Sequence, residues 1–274
     1  MKGLRFIDLG RQPVQRIMSC NEALFRVAEK TEKPVGFMWT TPPAIIMGYS
    51  QLIEKELNLE RCKALGYQVT RRISGGGMAF SSEESQIQYG YVGRLSELPY
   101  DMTESYEKVC GIVIHALERY GLKGEFKPIN DVLCNGKKIS GSAQTRGEAM
   151  LLQHGTLLVD LNVKDMLTCC NIPLEKISDK GIASVEERVT DLSRILGRKA
   201  PLTDAADAIR YGFSKNFGAN LLESRLTEEE EALAAELLPK YSDDKWIFRY
   251  TRGRARSAGA YPGSPEQAEF ADKR

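Results

Sequence analysis

The chain has little imidazole and no paired thiols. Its 274 residues hold two histidines, His115 and His154, and six cysteines at positions 20, 62, 110, 134, 169 and 170, with no Cys-x-x-C pair. That pattern argues against a zinc site. A net charge of +1 argues against a nucleic-acid binder that works by bulk electrostatics, though not against a local anion site. The opening Met1-Lys2-Gly3-Leu4-Arg5-Phe6 lacks the apolar core of a signal peptide, and no run approaches a membrane span. Scattered unpaired cysteines fit a reducing cytoplasm. No Walker A pattern and no internal repeat occur. With 42% hydrophobic and 27% charged residues, what remains is an ordinary globule able to bury a substantial core.

Against that plain background one stretch stands out, Arg71-Arg72-Ile73-Ser74-Gly75-Gly76-Gly77. A β-like run, Tyr67 to Thr70, precedes it and the apolar Met78-Ala79-Phe80 follows. Three glycines in a strand-to-strand turn weaken a fold unless the backbone must approach something closely. Free N–H groups there make an anion-binding concavity, and Arg72 and Ser74 add donors. A glycine hinge with two solvated arginines is the alternative. The Arg-Arg-x-Ser prefix favours a phosphate cradle.

Elsewhere, apolar periodicity predicts a strand over 4–9 and a helix over 13–30. Strands at 34–39 and 44–49 are divided by Thr-Thr-Pro-Pro. A helix is expected at 57–65 and a strand at 87–92. Asp101 and Glu104 read as a helix cap ahead of a stripe of Tyr106, Val109, Val113, Leu117 and Tyr120. His115 lies off that stripe and reads as structural. Asn135-Gly136 is a hairpin signal, so 131–134 and 138–142 should pair. Positions 149–160 form a further strand carrying His154, and the rest is mostly helical, clearest at 204–217 and 227–238. Ser257 to Arg274 has the composition of a disordered tail.

Arg71 to Gly77 resembles the motif of the lipoate–protein ligase and octanoyltransferase family. A second block supports this: Asn130-Asp131, then Gly136-Lys137-Lys138-Ile139-Ser140-Gly141-Ser142-Ala143-Gln144, then His154-Gly155-Thr156. The resemblance implies an α/β domain of the biotin/lipoate ligase type, a mostly antiparallel mixed sheet flanked by helices. It also implies ATP-dependent activation of lipoate to lipoyl-AMP and transfer to a lysine of a lipoyl domain. The acceptors would be 2-oxoacid dehydrogenase acyltransferase subunits or the glycine-cleavage H protein. By position in the motif Lys138 is the catalytic cation, with Lys137 turned to the other strand face. Arg72, Ser74, Gly75, Gly76, Gly77, Asn130, Asp131, Gly141, Ser142 and His154 would bind the acyl-adenylate. Asp131 would be a Mg²⁺ ligand. Read without the resemblance, Asn130-Asp131 is better taken as a turn entering a strand, and His154 also reads as a hydrogen-bonded core residue.

Two departures qualify the expectation. The family continues past the glycines with a His-Asp pair and a glycine. Here the loop reads Ser81-Ser82-Glu83-Glu84-Ser85-Gln86, one residue longer, leaving Ser85 and Gln86 as its polar contacts. Past Asp243 only about 30 residues remain, too few for an accessory domain with its own core. The expected organisation is a catalytic domain over 1–242 and an extension over 243–274, with a separate accessory subunit for activation. Two further readings stay open. One is a cysteine-dependent octanoyl or lipoyl carrier-protein acyltransferase, for which Cys134 is the nearest thiol. The other is a non-catalytic lipoyl-binding homologue.

Overall fold

The computed structural model describes residues 3–173 and 176–250. The chain opens with β1 (Gly3–Arg11), α1 (Val14–Thr31), β2 (Val35–Thr40) and β3 (Ala44–Met47). Two short helices follow, α2 (Ile53–Glu56) and α3 (Leu59–Ala64). Then come β4 (Gln68–Arg71), β5 (Ala79–Ser81), β6 (Gln86–Arg94) and α4 (Met102–Glu118). The middle of the chain is a meander of β7 (Gly124–Lys127), β8 (Asp131–Cys134), β9 (Lys137–Arg146) and β10 (Met150–Leu158). It closes with α5 (Val163–Cys169), α6 (Asp179–Glu186), α7 (Leu192–Leu196), α8 (Leu202–Phe217), β11 (Asn220–Ser224), α9 (Glu228–Ser242) and α10 (Asp244–Ile247).

Eight strands form the main sheet in the order β11-β1-β2-β6-β10-β9-β8-β7. β1 runs parallel to β11 and to β2, and every other pairing is antiparallel. A second sheet of three strands, β4-β3-β5, carries the glycine turn between β4 and β5. The fold is therefore the mixed α/β arrangement expected, and residues 131–134 do pair with 137–141 across Asn135-Gly136. Both turn residues have positive φ, 52° and 75°, the geometry that makes Asn-Gly a tight hairpin.

Side-chain alternation assigns the faces of the main sheet. Phe213 of α8 packs edge-on against Phe6 and Tyr89, and α8 in turn packs on α4. Gly212 allows that approach: a Cβ there would stand 2.1 Å from the Ile112 carbonyl oxygen. The opposite face is covered by α1, which packs on α9 and β10. Helix starts follow the capping rules, with Asp101 accepting from the Glu104 N–H and Thr227 and Glu230 forming a reciprocal capping box.

Three sequence expectations shift. The helix at 57–65 begins at Leu59, because Asn58 caps it through the Arg61 N–H. Strand β11 lies in a stretch read as helical; its apolar residues are few, and pairing with β1 makes it a strand. The boundary drawn after 242 falls short of the packed chain, since Trp246 and Ile247 of α10 are buried. The tail at 257–274 lies outside the described residues.

Candidate active site

The glycine turn is held from within. Arg72 is buried, and its Nε donates to Ser74 Oγ at 3.0 Å. Nη1 donates to the Ile46 carbonyl at 3.2 Å, and Nη2 to the carbonyls of Gly75 and Gly77 at 2.5 and 2.7 Å. Burial pushes this guanidinium down to about 10, still charged at neutral pH. Arg72 therefore staples the turn, and most of its donors are committed to the loop backbone instead of pointing outward to an anion. Arg71 goes elsewhere: it is fully buried and ties the carbonyls of Gly48 and Tyr49 to that of Ile247. Gly48 lets two backbones meet, because a Cβ on it would lie 1.9 Å from the Gly76 carbonyl oxygen. Gly76 itself sits at φ 82°, open to glycine without strain.

His154 of β10 reaches this turn from the main sheet. Its Nε2 is 2.5 Å from Ser74 Oγ and its Nδ1 is 3.0 Å from Asn21 Oδ1 on α1. Asn21 Nδ2 in turn donates to the Ile17 carbonyl at 2.9 Å. Donors and acceptors run in one direction: Arg72 N–H to Ser74, Ser74 O–H to Nε2, and Nδ1–H to Asn21. That order requires a neutral ring carrying its proton on Nδ1. Burial, with Arg72 nearby, pushes the imidazole down to about 3, in agreement with the hydrogen-bond order.

Across from the turn stands the β8–β9 hairpin. Lys138 Nζ lies 2.7 Å from Asp131 Oδ1, and both side chains are partly exposed. The ammonium rests over Gly141, where a Cβ would be only 2.9 Å from Nζ. Asn130 and Ser142 clasp each other: Asn130 Nδ2 donates to the Ser142 carbonyl at 2.5 Å, and the Ser142 N–H and O–H both donate to the Asn130 carbonyl at 3.0 Å. Lys137 points away, its Nζ donating to the Glu186 carbonyl at 2.6 Å.

Between turn and hairpin lies a cavity of about 280 Å³. Its walls are mainly apolar, with Met18, Trp39, Ile46, Met78, Phe80, Leu158, Leu161, Met166 and Val189 contributing. Of the residues expected from sequence, Arg72, Gly77, Asn130, Lys138, Gly141, Ser142 and His154 line it. Ser74, Gly75, Gly76 and Asp131 are not among the lining residues. Sequence reading missed Met18, Trp39 and Gln88, which no motif marks. In the altered loop, Ser85 turns inward: its Oγ accepts from the Ser82 N–H at 2.9 Å and donates to the Ser82 carbonyl at 3.0 Å. Gln86 alone of that loop reaches the cavity.

None of the six cysteines lines this space. Cys110 lies 3.5 Å from Ser142 Oγ, but it is buried, and burial pushes its thiol up to about 11. Cys134 is buried in β8 with its thiol raised for the same reason. Asp131 is a single carboxylate already paired with Lys138, and the described residues hold no group of three metal-ligating side chains. A lone carboxylate suits Mg²⁺ only alongside substrate phosphates. No helix among the described residues is long and apolar enough to cross a membrane.

Residues 13–214 match the lipoyl protein ligase A/B catalytic domain. An octanoyltransferase LipM from Symbiobacterium thermophilum is 29% identical over 270 residues, covering 89% of this chain and 98% of that protein. A lipoate-protein ligase LplJ from Bacillus subtilis is 28% identical over 215 residues, covering 78% of this chain but 63% of that protein. Among solved structures, the bi-partite lipoate protein ligase of Thermoplasma acidophilum superposes with a TM-score of 0.83 at 26% identity, covering 95% and 100% of the two chains. These findings correct the expectation of ATP-dependent lipoate ligation. Among the sequence relatives, octanoyltransferases are matched over nearly their whole length, whereas the lipoate-protein ligase LplJ is matched over 63% of its own.

Proposed function

Because the chain belongs to the lipoyl protein ligase A/B catalytic-domain family, we propose that it moves a medium-chain acyl group of the octanoyl type from a carrier-protein thioester to a lysine of a lipoyl domain. A thioester is already activated, so no nucleotide is needed. The acyl chain occupies the apolar cavity and its carbonyl meets the ammonium of Lys138. In the transfer the acceptor amine attacks the carbonyl, a C–N bond forms, the C–S bond breaks, and the amine proton leaves with the carrier thiol. Lys138 stabilises the oxyanion of the tetrahedral intermediate, and the apolar walls keep water from the thioester.

The observation that carries this reading is the position of Lys138: a partly exposed ammonium, oriented by Asp131, at the rim of an apolar cavity. With no thiol in that cavity, the acyl group passes straight from sulfur to nitrogen in this proposal, without the cysteine thioester of the cysteine-dependent scheme. The acceptors we assign are lipoyl domains of 2-oxoacid dehydrogenases and the glycine-cleavage H protein. Without an adenylation step, no accessory subunit is called for. Six unpaired cysteines suit a cytoplasmic setting.

The test is to mix the full chain with octanoyl carrier protein and apo lipoyl domain, omit ATP, and weigh the acceptor. An octanoylated acceptor supports the reading. Modification that appears only from free acid plus ATP overturns it. Individual Cys110→Ala and Cys134→Ala variants should transfer at the wild-type rate.

A further inference from the structure

β9 and β10 pair from Arg146 and Leu151 only as far as Ser142 and Gly155, and then part. β10 continues along β6 to Leu158, while β9 reaches back through Gly141 to Lys137. The cavity lies at that split: Lys138 and Gly141 of one strand and Thr156 and Leu158 of the other all line it. The edge of β9 that β10 leaves behind carries backbone groups that need other partners.

A short segment after α6 supplies them. The Lys138 N–H donates to the Arg188 carbonyl at 2.9 Å, and the Thr190 N–H donates to the Lys138 carbonyl at 2.8 Å, a parallel bridge centred on Val189. Val189 also lines the cavity. One segment thus holds both backbone groups of Lys138 and walls the acyl site. Two backbone hydrogen bonds are a weak hold on it, because ordering such a segment costs entropy at every residue.

Side chains reinforce the hold at either end. Downstream, buried Asp191 accepts from the Leu161 N–H at 3.2 Å and pairs with Arg194 at 2.9 Å. Upstream, Lys137 Nζ donates to the Glu186 carbonyl at 2.6 Å. Glu186 ends α6, whose last carbonyls lack partners within the helix and carry the negative end of its dipole. An ammonium is the matching group there. The Glu186 carboxylate meanwhile pairs with Arg194 at 2.9 Å, linking the two anchor points.

We propose that Lys137 is a positioning residue for acyl transfer. By fastening the end of α6 it seats residues 188–190 on the open edge of β9, which keeps Val189 against the acyl chain and Lys138 at the carbonyl. Adjacent lysines on opposite faces of one strand divide the work: Lys137 holds the wall and Lys138 meets the substrate. The inference rests on the acyl-transfer reading above and adds to it a residue that touches no substrate.

Full-length Lys137→Met and Lys137→Arg, assayed with octanoyl carrier protein and apo lipoyl domain, test it. Lys137→Met should raise KM for the octanoyl carrier by about tenfold, the worth of one hydrogen bond from a charged donor. A loosened wall admits water, so the free octanoate released per acceptor modified should rise too. Lys137→Arg keeps a cationic donor for the Glu186 carbonyl and should restore both values. Hydrogen exchange should show the Lys138 and Thr190 amides losing protection in Lys137→Met while the rest of the β8–β9 hairpin keeps its own. A residue that served folding alone would lower the yield of folded enzyme and leave KM and the division between acceptor and water unchanged. Lys137→Gln takes the place of Lys137→Met where the latter fails to fold. Wild-type KM and wild-type octanoate release in the folded variant, beside an active wild-type chain, overturn this inference alone. A wild-type chain that moves no octanoyl group from the carrier thioester overturns the acyl-transfer reading and this inference with it.

Discussion

Ser74 Oγ and His154 Nε2 meet at 2.5 Å, joining the glycine turn of the small sheet to the centre of the large one. With Asn21 on the far side of the ring, the contact resembles a nucleophile–histidine–amide triad in outline. Its surroundings give it another role. Ser74 is buried and does not line the cavity, and its oxygen already accepts from Arg72. The histidine thus locks turn, sheet and α1 into one rigid body against which an acyl group can be positioned.

That lock has a pH signature. His154 is held at about 3 in the folded chain and returns to about 6.5 on unfolding, so the unfolded state binds the extra proton between those values. Stability is therefore complete above about pH 6.5 and falls as the pH drops toward 3, by up to about 1.4 kcal/mol per pH unit from this group. Urea unfolding of wild type and His154→Gln from pH 7 to pH 4 should show a slope smaller by about one proton in the variant. Equal slopes would mean the ring is charged in the fold.

Lys138 should matter to rate far more than to stability. Removing one oxyanion-stabilising donor lowers kcat by about 10²–10³. Lys138→Ala should show that loss in acyl transfer, with a melting temperature close to wild type because the pair with Asp131 is partly exposed. Lys138→Arg should recover little, since a planar guanidinium does not reproduce the compact ammonium seated over Gly141. A wild-type kcat in Lys138→Ala would remove the residue from the chemistry.

The hairpin, the glycine turn and the cap at Asp101 were legible in the sequence because each is local: a few adjacent residues carry the geometry. Lys138 and Asn130, named from the motif, both line the cavity. What was not legible depends on strand order. Trp39, Gln88 and Thr156 come from three distant segments and become neighbours only because β2, β6 and β10 lie side by side. One partner of His154 is Asn21, 133 positions away on α1. The guanidinium of Arg72 looked like an anion receptor, and only coordinates show its donors turned inward on the loop. The ligase assignment failed for a different reason. The chain is similar to octanoyltransferases and to a lipoate-protein ligase alike, so the motif residues alone did not separate the two.

Glu22 on α1 predicts the strength of the C-terminal clasp. Its carboxylate is fully buried, paired with Lys240 at 2.7 Å and hydrogen-bonded to Arg26 and the Tyr241 hydroxyl. Burial would raise it, but Lys240 and these hydrogen bonds hold it below the usual carboxylate range. Breaking a buried pair strands the remaining charge. Glu22→Gln should therefore destabilise the fold by about 2–4 kcal/mol, less than a fully buried pair because Lys240 keeps some solvent contact. Denaturant midpoints at neutral pH check this, and a change under about 0.5 kcal/mol would place Glu22 with ordinary surface charges.

Gly48 offers the sharpest steric test. A Cβ there would stand 1.9 Å from the Gly76 carbonyl oxygen and 2.9 Å from its carbon, both backbone atoms that cannot swing aside. Gly48→Ala must push the glycine turn toward the cavity or strain β3. Either movement disturbs the bond from the Tyr49 N–H to the Ser74 carbonyl, 2.8 Å in the intact protein, and with it the Ser74–His154 contact. Overpacking of this kind destabilises by about 1–3 kcal/mol. The turn also forms one wall of the acyl site, so transfer should fall further than stability alone accounts for, with KM rising as well as kcat dropping. Gly66→Ala supplies the control: its φ of 77° strains an added side chain, but nothing lies within 4 Å of the new Cβ and Gly66 does not line the cavity. That variant should lose stability while kinetics of the folded fraction stay at wild-type values. Matching kinetic losses in the two variants would show that the Gly48 effect is general destabilisation and not displacement of the glycine turn.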